Sequence, residues 1–318
     1  MNIIRMSGGL GNQMFQYALY LKLRSMGKEV KFDDINEYRS ENVRPIMLSV
    51  FGVEYPRATW DEIVEFTDGS MKILKRIRRN LFGRRAIEYC EKGFYDPQVL
   101  SFESMYLRGS FQSERYFEDI SDEVRATYCF PELDKMHLPE KLYIRTMEML
   151  QKIENTNAVG IHMYRSDSRT EEELYEGICT EKYYEGAVRY MQEKNPDAVF
   201  YIFSNEPKWV KKWVDNLIKK QITEDMSREE IRAMKKHFVM MEANTEYTGY
   251  LDMLLMSKCR HNIISNSSFS WWAAWINNHA DKIVAAPAKW NNDNEGDQVF
   301  FKGMILIDAE GEVKRQVV

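Results

Sequence analysis

The polar and hydrophobic positions of this chain fall into short blocks that predict strands followed by helices. Asn2–Met6 is a short apolar strand, and a glycine-rich turn comes directly after it. Apolar residues then recur at helical spacing down to about Met26, with Asn12 as the predicted N-cap. Gly27 ends that helix and Val30–Asp33 resumes a strand, so the chain opens with a β–α–β unit.

The alternation is clearest from residue 157 onward. Strands separated by helices of this length predict a parallel sheet covered on both faces, with ligands beyond the carboxyl ends of the strands. The predicted strands are Ala158–His162, Val199–Ser204, Phe238–Met241, Asn262–Ser265 and, last, Asp281–Ala286. The predicted helices are Glu181–Lys194, Pro207–Ile218, Thr245–Lys258 and Ser268–Asn277.

The middle of the chain, roughly residues 40–150, is helix-rich, polar and less regular. We therefore predict an α/β protein with two Rossmann-like domains, 1–150 with a helical insertion and 151–318, joined near residues 140–157.

Composition narrows the class of protein. Hydrophobic residues make up 44 % of the 318, which disfavours disorder, and a net charge of −5 disfavours a general nucleic-acid binder. Apolar runs such as Val199–Phe203 are too short to span a bilayer, and the N-terminus has no signal-peptide pattern. Four scattered cysteines fit free thiols in a reducing cytoplasm better than disulfides or a zinc site, so we expect a cytoplasmic protein.

The first candidate site is the turn containing Gly9, Gly11, Asn12 and Gln13. Glycines allow close approach of a ligand, and the following helix offers free N–H groups. Two alternatives remain open. One is an ordinary tight turn. The other is a dinucleotide fingerprint with Asp33 or Asp34 on a ribose, although Met14 occupies the position of its third glycine.

The second candidate lies at the end of a buried strand, where His162, Arg165 and Asp167 follow one another closely. The planar guanidinium of Arg165 suits a diphosphate, and Asp167 can orient it or bind a ribose hydroxyl. The alternative is a core histidine followed by a solvated Arg–Asp pair.

Two further polar segments also follow predicted strands. Ser265–Ser268 with Phe269 forms a candidate phosphate cradle, in which Ser267 or Ser268 is expected to cap the next helix, with Trp271 and Trp272 behind it. Ser204 and Asn205 can meet the base or ribose of a nucleotide, or belong to a helix cap with Glu206.

The stretch Lys72–Arg85 carries basic residues interleaved with apolar residues at helical spacing. A solvated helix face and a weak peripheral contact with an anionic membrane are the two interpretations.

Together these segments resemble a known family. Gly8–Ala18 is similar to the N-terminal signature of the α-1,2-fucosyltransferases of glycosyltransferase family 11, and His162–Asp167 to their His-x-Arg-Arg-Gly-Asp element. Gly177–Cys179 with Tyr183 and Tyr184 has the family's downstream spacing, and Ser265–Ala273 resembles its C-terminal signature.

The resemblance implies a GT-B-type fold, in which two Rossmann-like domains face each other across a cleft. It implies an inverting transfer of L-fucose from GDP-β-L-fucose to O2 of a galactose-type acceptor, without metal or other cofactor, in bacterial surface glycan synthesis. The N-terminal domain would serve the acceptor and the C-terminal domain the donor. Catalytic roles would go to His162, Arg165 and Asp167. Donor binding would involve Tyr164, Arg165, Ser204, Asn205 and Ser265–Phe269, with Gly9, Gly11, Asn12, Gln13 and Glu176 along the cleft.

This sequence departs from the family at three positions. Tyr164 stands where the family has its first arginine, Ser166 where it has glycine, and Glu176 where it usually has histidine. The base that deprotonates the acceptor therefore remains open among Asp167, Glu172 and Glu176. Other possibilities are a different GDP-sugar donor, a catalytically silent sugar-binding relative, and an NAD(P)-dependent oxidoreductase. The expected acceptor is a bacterial glycan or its lipid-linked precursor, the latter at the inner membrane face.

Overall fold

The computed structural model describes residues 1–36, 44–70, 72–164, 173–242, 244–293 and 296–318, without the side chain of Lys75. The chain divides into two compact units, Met1–Cys129 and Phe130–Val318. The boundary comes before the predicted one at residue 150 because Leu142 and Leu150 pack on Leu251 and Leu254 of the second unit.

In the part of the chain that the structure describes, the first unit contains a four-stranded parallel sheet in the order β2-β1-β4-β3. Its strands are β1 (Asn2–Arg5), β2 (Val30–Asp33), β3 (Glu88–Cys90) and β4 (Met105–Arg108). Its helices are α1 (Leu10–Ser25), α2 (Trp60–Thr67), α3 (Ile73–Phe82) and α4 (Ser121–Thr127).

Helix α1 begins earlier than predicted. Gly9 is its N-cap, with an extended backbone, and the carbonyl of Gly9 accepts the N–H groups of Asn12 at 3.0 Å and Gln13 at 3.1 Å. Asn12 therefore lies inside the first turn, and the prediction that it caps the helix is wrong.

The second unit contains, within its described ranges, a seven-stranded sheet in the order β11-β10-β9-β8-β5-β6-β7. Every neighbouring pair is parallel except β10 with β11. The strands are β5 (Asn157–Met163), β6 (Ala198–Ser204), β7 (Phe238–Met240), β8 (His261–Ile263), β9 (Val284–Pro287), β10 (Ile305–Ile307) and β11 (Val313–Gln316). The helices are α5 (Glu140–Glu154), α6 (Glu181–Lys194), α7 (Pro207–Gln221), α8 (Arg228–Lys236), α9 (Tyr250–Lys258) and α10 (Ser268–Trp275).

Short 3₁₀ segments complete the described secondary structure. They are Leu48–Phe51, Pro97–Ser101, Glu114–Tyr116, Glu118–Ile120, Leu133–Met136 and Asp297–Val299.

The α/β class and the two Rossmann-like parallel sheets are confirmed. Two element predictions are corrected. Helix α9 begins at Tyr250 rather than Thr245, because Thr245 and Thr248 close a turn in which each bonds the other's backbone or side chain. The strand ending near Ala286 is not the last one, because β10 and β11 extend the sheet beyond it.

Candidate active site

Three neighbouring strands, β8, β5 and β6, end at the same edge of the second sheet. The register pairs Ile161 with Ile263 and Met163 with Ser204. Because carboxyl ends of parallel strands meet at one edge, the polar segments that follow these strands are brought together, as the sequence predicted. The predicted residues at this edge are His162, Tyr164, Ser204, Asn205 and Ser265–Phe269.

His162 joins two of these segments. Its Nδ1 lies 2.9 Å from the hydroxyl oxygen of Ser265, and its carbonyl accepts a hydrogen bond from the Tyr184 hydroxyl at 3.2 Å. The imidazole stacks on the ring of Tyr164 at 5.9 Å with an interplanar angle of 12°, and Phe269 packs against it at 5.5 Å. The end of β5 is thereby fixed to the segment that follows β8.

Burial also determines the charge of His162. Its side chain is only 8 % exposed, and burial lowers the pKa of the imidazole to about 4. The imidazole is therefore neutral at neutral pH. A group with so low a pKa is a weak proton acceptor, which suits positioning through its hydrogen bond better than general-base catalysis.

Hydrogen bonds within the protein fix the conformation of the serine-rich segment that follows β8. Ser265 is buried, and the hydroxyl of Ser270 lies 3.4 Å from the Ser265 hydroxyl and 3.2 Å from the carbonyl of Ser267. The amide of Asn266 is engaged on both sides, since Oδ1 accepts from the Cys179 thiol at 3.2 Å and Nδ2 donates to the carbonyl of Trp290 at 3.1 Å. This leaves the partly exposed stretch 267–269 at the start of α10 as the part that faces outward.

Helix α10 begins differently from what the sequence suggested. Ser267 is its N-cap, but within the described part of the chain the Ser267 side chain makes no capping hydrogen bond. Its hydroxyl and the first N–H groups of the helix suit an anion, because helix N-termini attract negative charge. Trp271 and Trp272 are completely buried and Trp271 donates to the carbonyl of Val299 at 2.6 Å, so both are packing anchors.

Three predicted site residues, Arg165, Asp167 and Glu172, lie outside the described residues. Glu176 is exposed, and its carbonyl accepts a hydrogen bond from the side chain of Asn292 at 3.2 Å. The hydroxyl of Ser204 accepts the N–H of Glu206 at 3.0 Å.

Most of the predicted site residues in the turn of the first unit make contacts that stabilise the fold. Gln13 is fully buried, and its amide group bonds the carbonyls of Gly8 and Pro45 and the N–H of Met47, each at 2.9 Å. Asn12 accepts from the side chain of Gln112 at 2.9 Å. Gly8 requires glycine, because its φ is +73° and a Cβ there would lie 2.5 Å from the side chain of Asn12. Gly11 is buried at the start of α1.

Two polar residues near this turn, the buried Gln16 and the partly buried Glu91, were missed from the sequence. Gln16 accepts the N–H of Ser7 at 3.0 Å and donates to the carbonyl of Gly109 at 2.9 Å, which ties the ends of β1 and β4 together. Its place one helical turn after Gln13 was the available signal. Glu91 accepts the N–H groups of Ser110 at 3.0 Å and Phe111 at 2.7 Å, and burial raises its pKa to about 7. A lone acid in an irregular stretch gave no sequence signal for that role.

The carboxylate of Asp33 is fully buried and committed to the protein. It accepts the N–H groups of Ile35 at 3.0 Å and Asn36 at 3.1 Å, together with the Tyr106 hydroxyl at 2.5 Å. A ribose could reach this carboxylate only by displacing those groups, which disfavours a dinucleotide-binding role for Asp33.

The described ranges contain no cluster of His, Cys, Asp and Glu side chains suited to a metal ion. None of the helices within them has the length and apolarity to cross a bilayer.

Comparison with known proteins gives consistent matches. The profile of the family "Glycosyl transferase family 11" matches residues 96–304. An alpha-1,2-colitosyltransferase from Escherichia coli is 29 % identical, with 91 % of each chain covered. The O-antigen biosynthesis glycosyltransferase WbnK from the same species is 30 % identical over 94 % of this chain and 98 % of its own length. A solved structure of Arabidopsis thaliana FUT1 with GDP has a TM-score of 0.46 and 10 % identity, covering all of this chain and 79 % of that one.

Proposed function

Because this chain belongs to glycosyltransferase family 11, we propose that it transfers L-fucose from GDP-β-L-fucose to O2 of a galactose-type acceptor with inversion. The observation that carries the proposal is the hydrogen bond between His162 Nδ1 and the Ser265 hydroxyl. It unites the two segments that resemble the family's donor-side signatures at one edge of the second sheet.

The diphosphate of the donor needs positive charge or N–H groups, because negative charge grows on it as GDP leaves. Arg165 is assigned to this role from its residue type and its place directly after β5. The start of α10, with Ser267 and Ser268, supplies further hydroxyl and N–H groups for the same role. These groups suffice for charge stabilisation without a metal, which is how we propose the enzyme works.

Tyr164 gives this site a neutral ring where the family has an arginine. The ring stacks on the imidazole of His162, and Phe269 packs against the same imidazole. We assign Tyr164 to contact with the nucleotide or sugar. The loss of a charge-assisted bond costs about 1 kcal/mol relative to a neutral one, a several-fold effect on affinity.

The acceptor hydroxyl must lose its proton as it attacks. The neutral, buried His162 is poorly suited to take it. Asp167, Glu172 and the exposed Glu176 remain the candidates for this base. We propose that His162 positions the donor site through Ser265 instead.

The decisive experiment measures GDP release from GDP-fucose with a panel of galactose-terminated acceptors. We expect turnover with at least one of them, and at least a hundred-fold loss in Arg165→Ala, on the scale of removing one group that stabilises transition-state charge. The matched control is Arg189→Ala, an exposed arginine on α6 that pairs with Glu312. Normal turnover in Arg165→Ala would remove the diphosphate assignment.

A second donor is favoured by one specific observation, the similarity to an alpha-1,2-colitosyltransferase. Parallel assays with GDP-fucose and GDP-colitose distinguish the two donors, because the ratio of their kcat/KM values measures which donor the site prefers. A higher kcat/KM for GDP-colitose would replace fucose in the proposal and leave the family assignment intact.

We further propose a place in the synthesis of a bacterial surface glycan, on an acceptor that is carried by a lipid at the cytoplasmic side of the membrane. The similarity to an O-antigen biosynthesis glycosyltransferase supports this setting. An oxidoreductase alternative is weakened by the occupied carboxylate of Asp33. A thermal-shift screen with NAD(H) and NADP(H) tests it, and no shift is expected.

A further inference from the structure

Helix α3 (Ile73–Phe82) carries its apolar side chains on the outside. Ile73, Leu74, Ile77 and Leu81 are 75, 82, 49 and 71 % exposed. Their spacing of three, four and seven residues puts them on one face of the helix. A surface helix normally buries such a face against the core. In α3 the apolar face is exposed instead.

The contacts of the basic side of α3 explain why its apolar face points outward. Arg78 forms an ion pair with the buried carboxylate of Asp68, and Arg79 donates to the carbonyl of Asp68 at 2.8 Å. The same carboxylate accepts the N–H of Arg85 at 3.0 Å, and these contacts hold its pKa below the usual range. Asp68 therefore fastens the polar face of α3 to the first unit and leaves the apolar face exposed.

The charge around this face is of one sign. Lys72–Arg85 contains seven basic residues and no acidic residue, in a chain whose net charge is −5. Arg76 on α3 and Arg85, which follows the helix, are both exposed. A basic rim around apolar side chains matches a surface that is negatively charged outside and apolar just beneath.

We propose that the apolar face of α3 docks onto a membrane containing anionic lipid, with Leu74 and Leu81 entering the acyl boundary and Arg76 and Arg85 contacting headgroups. A second copy of the chain fits this face less well, because it would bring the exposed Arg76 and Arg85 of one copy against the same cations of the other. A nucleic acid would satisfy the cations but would leave the apolar stripe in water.

The test is co-sedimentation of the full chain with vesicles of phosphatidylcholine alone or mixed with phosphatidylglycerol. We expect binding only to the mixed vesicles, weakened by salt. Leu74→Ser/Leu81→Ser should abolish most of it. Arg76→Gln/Arg85→Gln should weaken it roughly 25-fold, at about five-fold for each cation near the surface.

Matched controls carry the same changes on exposed side chains of the second unit. They are Ile144→Ser/Ile222→Ser and Lys211→Gln/Lys219→Gln, which should bind like the unchanged protein. Circular dichroism should be unchanged in all four variants, since none of the substituted side chains is buried. Equal binding by the α3 variants and their controls, or no binding by the unchanged chain, would overturn the proposal. So would a dimer that the Leu74→Ser/Leu81→Ser change dissociates.

Discussion

At the scale of single residues, the hydrogen bond between His162 and Ser265 is the central contact of the candidate site. A buried imidazole nitrogen needs a partner, because an unsatisfied polar group away from water costs about 1–3 kcal/mol. Ser265 supplies that partner, and the neighbouring Ser270 hydroxyl lies 3.4 Å from it. Under the proposed function, the same hydroxyl links stability to donor binding.

Ser265→Ala should therefore lower the free energy of unfolding by about 1–3 kcal/mol and reduce kcat/KM for the donor. Urea denaturation and steady-state kinetics measure the two effects. Ser267→Ala is the control for stability, since its hydroxyl makes no capping bond in the described part of the chain. An unfolding free energy equal to that of the unchanged protein would contradict the assigned role.

Glu91 makes stability depend on pH. Burial raises its pKa from 4.5 to about 7, so between these values the folded protein holds a proton that the unfolded chain releases. The contribution of Glu91 to stability therefore falls as pH rises through this window. Glu91→Gln, which cannot ionise, should gain stability relative to the unchanged protein by up to about 1.4 kcal/mol per pH unit there.

Unfolding experiments at several pH values between 4.5 and 7 check this difference. Glu88→Gln is a suitable comparison, since Glu88 starts β3, the strand that ends just before Glu91, but pairs with Arg84 and Arg108 near the surface. A difference between Glu91→Gln and the unchanged protein that stays constant with pH would show that Glu91 keeps an ordinary pKa.

At the scale of elements, α6 packs unusually close to the loop between β10 and β11. A Cβ added at Gly186 would lie 2.1 Å from the carbonyl oxygen of Gly311. Gly186→Ala must therefore move backbone against backbone, with an expected loss of about 1–3 kcal/mol or more. Gly249→Ala, where the nearest atom is 3.5 Å away, is the control expected to unfold as the unchanged protein does.

Strong local patterns made most of the second sheet predictable. Helix α6 begins and ends at the predicted residues, because Thr180 caps it through the N–H of Tyr183 and apolar spacing continues to its end. Strand β10 was missed because three apolar residues are too short a run to recognise, and β11 because all of it is exposed. The placement of His162 and Ser265 at one edge followed from their positions at the carboxyl ends of predicted parallel strands, whereas the roles of Gln13, Gln16 and Glu91 depend on contacts distant in sequence.

At the scale of the whole molecule, the division into Met1–Cys129 and Phe130–Val318 puts every described residue of the predicted donor set in the second unit. We therefore expect a fragment of residues 130–318 to bind GDP without the first unit. Isothermal titration of GDP into this fragment and into the full chain tests it. A fragment with native circular dichroism that fails to bind GDP would show that donor binding needs the first unit.

Strand β11 also has a consequence for handling the protein. Its exposed residues pair with the buried strand β10, and Lys314 and Arg315 form ion pairs with Asp308 at 2.7 Å and Asp297 at 2.6 Å. Charged side chains on an outer strand discourage pairing with strands of other molecules. A chain shortened before Val313 would expose the apolar β10 as a new sheet edge, and such a truncation should aggregate where the full chain stays dispersed.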